Sequence, residues 1–231
     1  MSGREAALPV HDLFLLRLRE PDACRQKHNT VMKERAVENR IETYPHWKLR
    51  EWTPALPEGR IERIYTHWSA HDYHSVFPAY HFCITTNEAG EILVVNTHDV
   101  RENMRDVYKA PEEPYAAHTR GRNSYALGIS IMAMEGSNPR DFGPYPLTEE
   151  LIDGLCLLGA KLAKYYNVPL DAEHVMSHAE AALHDGYFGT APEERWDIAR
   201  LKAEDRALVP QDGIDVGEEL RARMRRFFLS S

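Results

Sequence analysis

The stretch Ile64-Tyr65-Thr66-His67-Trp68-Ser69-Ala70 reads as a β-strand that ends on a histidine and small residues. Ile64, Tyr65, Thr66 and Trp68 are β-branched or aromatic side chains that suit a pleated, half-buried surface. His67 stands near the strand's end, where a scaffold can display chemistry. A lone imidazole is equally a polar group that a core can satisfy with hydrogen bonds, so its partners further along the chain decide its reading.

Tyr80-His81-Phe82-Cys83-Ile84 opens a second strand over residues 79–86, and residues 91–96 form a third. Asn87 and Gly90 bracket a four-residue turn between them, a hairpin signal. Residues 125–133 are a further β-like run, followed by a Gly- and Pro-containing loop over 138–146. A helix then begins after Thr148, which can cap its N-terminus, with Glu149 and Glu150 suited to the positive end of the helix dipole. Leu151, Ile152, Leu155, Leu158 and Leu162 recur at helical spacing, and Asn167 followed by Pro169 provides the stop.

Residues 1–59 form an N-terminal extension and connector, with a helix expected from residue 22 to about 42. Pro45, Pro54, Pro57 and Gly59 favour an extended connector, which Trp47 and Trp52 pin by packing, with substrate binding as the alternative role of the two tryptophans. The central domain runs over 60–203. In the tail, 204–231, Asp215 and Glu218 have capping-box spacing. Leu220, Met224, Phe227 and Phe228 then form an apolar edge among Arg221, Arg223, Arg225 and Arg226. Such a helix suits either an anionic polymer or membrane surface, or packing against the domain or a second subunit.

The chain of 231 residues is 43% hydrophobic with a formal net charge of −8, enough for one sizeable core and unfavourable for general nucleic-acid binding. Cys24, Cys83 and Cys156 make no C-x-x-C pair, and the latter two fall in strand and helix patterns, so buried free thiols are expected. No apolar run approaches the ~20 residues of a membrane span. The apolar patch Leu13-Phe14-Leu15-Leu16 lacks the features of a secretory leader. A cytoplasmic protein as synthesised is expected, with lysis or dedicated secretion as its routes out of the cell. Oligomeric state is open.

Further blocks follow the first strand in order: His118-Thr119-Arg120-Gly121-Arg122-Asn123, Gly128-Ile129-Ser130, Ser177-His178-Ala179-Glu180 and Arg195-Trp196-Asp197. With His67 and Tyr80-His81-Phe82, this order resembles the zinc-dependent N-acetylmuramoyl-L-alanine amidases of the phage-lysozyme and peptidoglycan-recognition-protein family (type 2 amidases). That family runs I-x-H-x-[ST]-A, Y-H-F-x-I, H-x-x-G-x-N, G-H-x-E and K-x-[DC]. The resemblance covers about residues 60–201. It implies an α/β fold: a central mixed β-sheet with flanking helices and an open cleft. It also implies hydrolysis of the amide between the N-acetylmuramic acid lactyl group and L-alanine, in peptidoglycan or muropeptides.

Carried over residue by residue, the resemblance assigns His67, His178 and Asp197 to a Zn²⁺ ion. Tyr80 would orient the attacking water or hydrogen-bond the scissile amide, and Arg195, where many members carry lysine, would stabilise the oxyanion. His118 would contact substrate, and Asn123 would shape its loop. Ser130 stands where some relatives carry glutamate, which leaves the general base open. His184 and Asp185 compete with Asp197 for the third ligand position. His174 and His178 are four apart, but Val175 replaces the glutamate of H-E-x-x-H. Glu180 reads as a partner of a ligand or as structural, and His81 as structural. His71, His74 and His98 read as surface or loop residues. The alternatives are a non-catalytic peptidoglycan-binding module and a zinc amidase acting on another acyl-amide.

Overall fold

The structure is a computed structural model that describes residues 40–53 and 55–230. The helix expected between 22 and 42, the apolar patch at 13–16 and Cys24 lie wholly or mostly outside them. Six strands form one mixed sheet: β1 (His46–Lys48), β2 (Arg63–Trp68), β3 (Phe82–Thr86), β4 (Ile92–Asn96), β5 (Ala126–Ile131) and β6 (Val175–Ser177), in the order β1-β4-β3-β5-β2-β6. β3, β5, β2 and β6 run parallel, and β4 is antiparallel to both β1 and β3. Among the described residues three α-helices complete the α/β fold: α1 (Glu149–Tyr166), α2 (His178–Asp185) and α3 (Pro210–Ser230). No described helix is long and apolar enough to cross a membrane.

The period-two alternation of a strand sorts the sheet's two faces. Ile64, Ile84, Val94, Leu127, Ile129 and Ile131 point one way and bury against α1. Tyr65 and His67, with their register partners Gly128 and Ser130, belong to the other set, which holds the site. α1 forms as the sequence predicts. Thr148 caps it by accepting from the Leu151 amide, and Asn167 closes it in the left-handed conformation at φ 55°. Each buried leucine of its inner face contributes roughly 1.5–3 kcal/mol. Gly159 lets α3 approach: a Cβ there would meet the Met224 Cε at 2.7 Å.

The hairpin turn also matches expectation. The Asn87 side chain accepts from the Ala89 and Glu91 amides, and Gly90 takes φ 76°. The second strand starts at Phe82, because residues 78–81 turn instead. β1 comes from the stretch read as connector and pairs with β4, while Trp52 buries against Phe82 at 5.5 Å between ring centroids. Trp47 remains 42% exposed. Cys83 and Cys156 are buried free thiols, both pushed up to about 12 by burial.

α3 begins at Pro210, five residues before the expected capping box. Proline suits the first helical position, and the Asp212 carboxylate accepts from the Val209 amide at 2.9 Å. Asp215 therefore sits inside the helix and accepts from Gln211. The arginines of α3 are not a free basic face. Arg221 is buried on Glu180, Arg223 spans Glu149, Asp153 and Glu219, and Arg225 pairs with Glu218. Of the readings open for this helix, packing against the domain is the observed one.

Candidate metal centre

Three separate elements bring His67, His178 and Asp197 together. His67 is the penultimate residue of β2 and is fully buried. His178 is the first residue of α2, and a capping box fixes where that helix starts. Ser177 Oγ accepts from the Glu180 amide at 3.1 Å, and the Glu180 carboxylate accepts from the Ser177 amide at 2.9 Å. Asp197 lies on the loop after α2, and its carbonyl accepts from the Ala179 amide at 2.6 Å, satisfying a donor of the helix's first turn. Its neighbours anchor it: Trp196 packs edge-on to Trp68 with centroids 4.9 Å apart, and Ile198 is buried.

Asp197 Oδ2 lies 3.0 Å from His67 Nδ1 and 3.1 Å from His178 Nδ1. The donor atoms of the three residues lie within 4.8 Å of one another, the one such group of His, Cys, Asp or Glu side chains among the described residues. Burial lowers His67 to about 4 against the opposing pull of Asp197, so its imidazole is neutral at pH 7. Burial would raise Asp197, but the charge and hydrogen bond of His178 and the hydrogen bond of His67 outweigh it and hold the carboxyl below its ordinary range. Two imidazoles and a carboxylate are a donor set zinc accepts. The two donor separations approach the roughly 3.3 Å between neighbouring ligands of a tetrahedral ion with ~2.0–2.1 Å bonds. His178 Nε2 is buried without a hydrogen-bond partner, so the cluster is not a closed structural network. By donor chemistry and spacing, the residues fit a zinc ion.

A cleft of about 450 Å³ opens over the cluster, lined by Tyr80, His118, His178, Arg195 and Asp197 among others. The Tyr80 ring lies 4.9 Å from the His67 ring. Burial, then the charge of Asp197, drives its phenol well above the ordinary value, so it stays protonated and can donate but not act as a base. His118 lines the cleft, with its amide and that of Thr119 both donating to the Asn123 side chain at 3.1 and 2.9 Å. Gly128 makes room for its ring, which a Cβ there would strike. Asn123 shapes the loop, as expected.

Arg195 lines the cleft but is exposed. Its guanidinium donates to the carbonyls of Pro192 and Glu194, at 3.1 and 2.6 Å, within its own loop. Ser130 is fully buried and donates to the Ile131 carbonyl.

The rival ligands lie elsewhere. Asp185 is held by a two-pronged ion pair with Arg122, at 2.6 and 2.7 Å, and His184 is exposed. His174 pairs with Asp171 before β6, so the intervening strand, not a helix, separates it from His178. His81 accepts from the Gly128 amide, a structural contact. His71, His74 and His98 bond to neighbouring backbone or to Glu102. Glu180 completes the capping box and bonds Arg221. The spacing Ser177-x-x-Glu180, which marks the start of α2, is legible in the sequence, whereas the contact of Thr119 with His67 carries no sequence signal.

No protein-family model and no curated protein matches this chain. Part of it is similar to a solved structure, the complex of the N-acetylmuramyl-L-alanine amidase AmiD from E. coli with the substrate anhydro-N-acetylmuramic acid-L-Ala-D-gamma-Glu-L-Lys. The two share 16% identity at a TM-score of 0.36, over 56% of this chain and 52% of that one. The chain thus spans about half the length of that protein. A likeness at this level is too weak to assign a role to any residue.

Proposed function

We propose that this protein is a zinc hydrolase that cleaves the amide between the lactyl group of N-acetylmuramic acid and L-alanine, in peptidoglycan or muropeptides. One observation carries the reading: the three side chains picked out by motif order, far apart in sequence, converge with their donor atoms within 4.8 Å. His67, His178 and Asp197 would hold the ion. When bound by such a set, zinc supplies Lewis acidity and brings the pKa of water toward ~7.

The chain's own groups account for the rest. Asp197 stays ionised because two imidazoles face it. Tyr80 keeps its proton and donates a hydrogen bond to the carbonyl oxygen as charge develops there. Arg195, whose loop contacts use Nη1 alone, adds a second donor at the cleft's rim. His118 fixes the substrate from the cleft wall. A binding-only module would not need a complete ligand set beneath its cleft.

Mass spectrometry of purified muropeptides, before and after incubation with the zinc-loaded protein, tests the proposal. Release of the intact stem peptide with L-alanine at its free N-terminus, stopped by a chelator, is expected. Muropeptides left uncut by protein shown to carry zinc would overturn it in favour of another acyl-amide.

A further inference from the structure

Thr119 is 1% exposed and stands between two histidines. Its Oγ1 is 3.3 Å from His67 Nε2 and 2.9 Å from His118 Nδ1. The far nitrogen of His67, Nδ1, faces Asp197, and the far nitrogen of His118, Nε2, is buried with no hydrogen-bond partner. One continuous chain therefore runs Asp197, His67, Thr119, His118. Its middle is held firmly: the Asn123 carboxamide takes the backbone amides of both His118 and Thr119, and the Asn103 side chain donates to the Asn123 backbone carbonyl at 2.8 Å.

A hydroxyl has one proton to donate, and a neutral imidazole has one N–H and one acceptor nitrogen. These counts permit two arrangements of the chain. In the first, His67 carries its proton on Nδ1 and gives it to Asp197. His67 Nε2 then accepts from Thr119, and Thr119 accepts from His118 Nδ1–H. His118 Nε2 is left as an acceptor. In the second, a cation takes the His67 Nδ1 lone pair. The His67 proton now sits on Nε2 and donates to Thr119, Thr119 donates to His118 Nδ1, and His118 carries its proton on Nε2. The proton that the cation displaces from His67 Nδ1 leaves to solvent, and one proton arrives from water at His118 Nε2, so every group keeps one proton in both arrangements.

We propose, on the strength of the metal reading above, that Thr119 is a positioning residue coupling the metal centre to His118. It fixes the tautomer in which His67 can ligate, and loading the centre turns His118 Nε2 into a donor. A donor there suits a carbonyl oxygen of an amide substrate, so the substrate-binding form of His118 exists only when the centre is filled. Partners that orient ligating histidines are worth 10–100-fold in metal affinity.

The test has two readouts besides activity. The first is zinc affinity, by competition with a chromophoric chelator, for the unaltered protein, Thr119→Val and Thr119→Ser. Thr119→Val keeps the shape without the hydroxyl and should bind zinc ~10–100-fold more weakly, whereas Thr119→Ser should restore most of the loss. The second is ¹⁵N NMR of histidine-labelled unaltered protein, with and without zinc. It should show the His118 proton moving from Nδ1 to Nε2 on loading. Should Thr119→Val fail to fold, this second readout decides alone. If the unaltered protein binds zinc but His118 keeps one tautomer throughout, or Thr119→Val binds zinc equally well, the coupling is wrong and the metal reading stands. If the unaltered protein binds no zinc, the metal reading itself fails.

Discussion

Residues 178 and 180, two apart on α2, bury two carboxylate clusters of opposite character. At His178, Asp197 meets two imidazoles at the base of a cleft, and His178 Nε2 has no partner. At Glu180, the carboxylate accepts from the Ser177 amide and from Arg221 at 2.9 Å each, and Arg221 also donates to the Val175 carbonyl. Both clusters are more than nine-tenths buried. Buried charge therefore does not mark function here. What separates the two is whether the polar atoms are satisfied inside the protein: the Glu180 cluster is closed, and the Asp197 cluster, at the base of a cleft, keeps an unpartnered nitrogen in His178 Nε2.

Breaking the closed cluster should have the larger effect on stability. Arg221→Ala leaves Glu180 buried without its cation, which costs about 3–5 kcal/mol. Chemical denaturation should show it, and zinc affinity should be unchanged under conditions where the variant is folded. Breaking the open cluster's surroundings should do the reverse. Tyr80→Phe should keep stability and zinc but lose ~10²-fold in turnover, about 2.7 kcal/mol of transition-state stabilisation. Unchanged turnover would return Tyr80 to a packing role.

Gly217 sharpens the contrast further. Glycine to alanine in a helix ordinarily gains about 1 kcal/mol, but a Cβ at Gly217 would collide with the Glu180 carboxylate. Gly217→Ala should therefore destabilise, by ~1–3 kcal/mol, measured as a lowered denaturation midpoint.

The smallest effect belongs to Asp185, the rival ligand. The hydrogen bonds of Arg122 hold its carboxyl below the ordinary value. The pair's stabilisation is thus present above the unfolded pKa and lost as pH falls through the lower folded one. Its side chain is 34% exposed, so Asp185→Asn should cost no more than ~1 kcal/mol at pH 7. The difference from the unaltered protein should vanish in acid, and zinc should stay bound.

The sequence made α1 legible because its signals are local: a capping threonine, a leucine stripe and a left-handed stop. The hairpin at Asn87–Gly90 was legible for the same reason. The convergence of His67, His178 and Asp197, the candidate ligands, was legible through motif order alone, since they are separated by 111 and 19 positions. What stayed hidden depends on pairings across the fold. Arg221 reads as one of several surface arginines until α3 is laid against Glu180, 41 residues away. Thr119 is one polar loop residue until β2 brings His67 within 3.3 Å. The start of α3 was missed because the Asp215 and Glu218 spacing outweighed Pro210, whose fixed φ defines the first turn.

The central claim is that the open cluster holds a metal ion and the closed one does not. Zinc content per chain after reconstitution and desalting, compared for the unaltered protein, Asp197→Ala and Glu180→Gln, tests it most directly. About one Zn²⁺ per chain in the first, almost none in Asp197→Ala and near-full content in folded Glu180→Gln are expected. Full zinc content in Asp197→Ala, or none in the unaltered protein, would contradict the account.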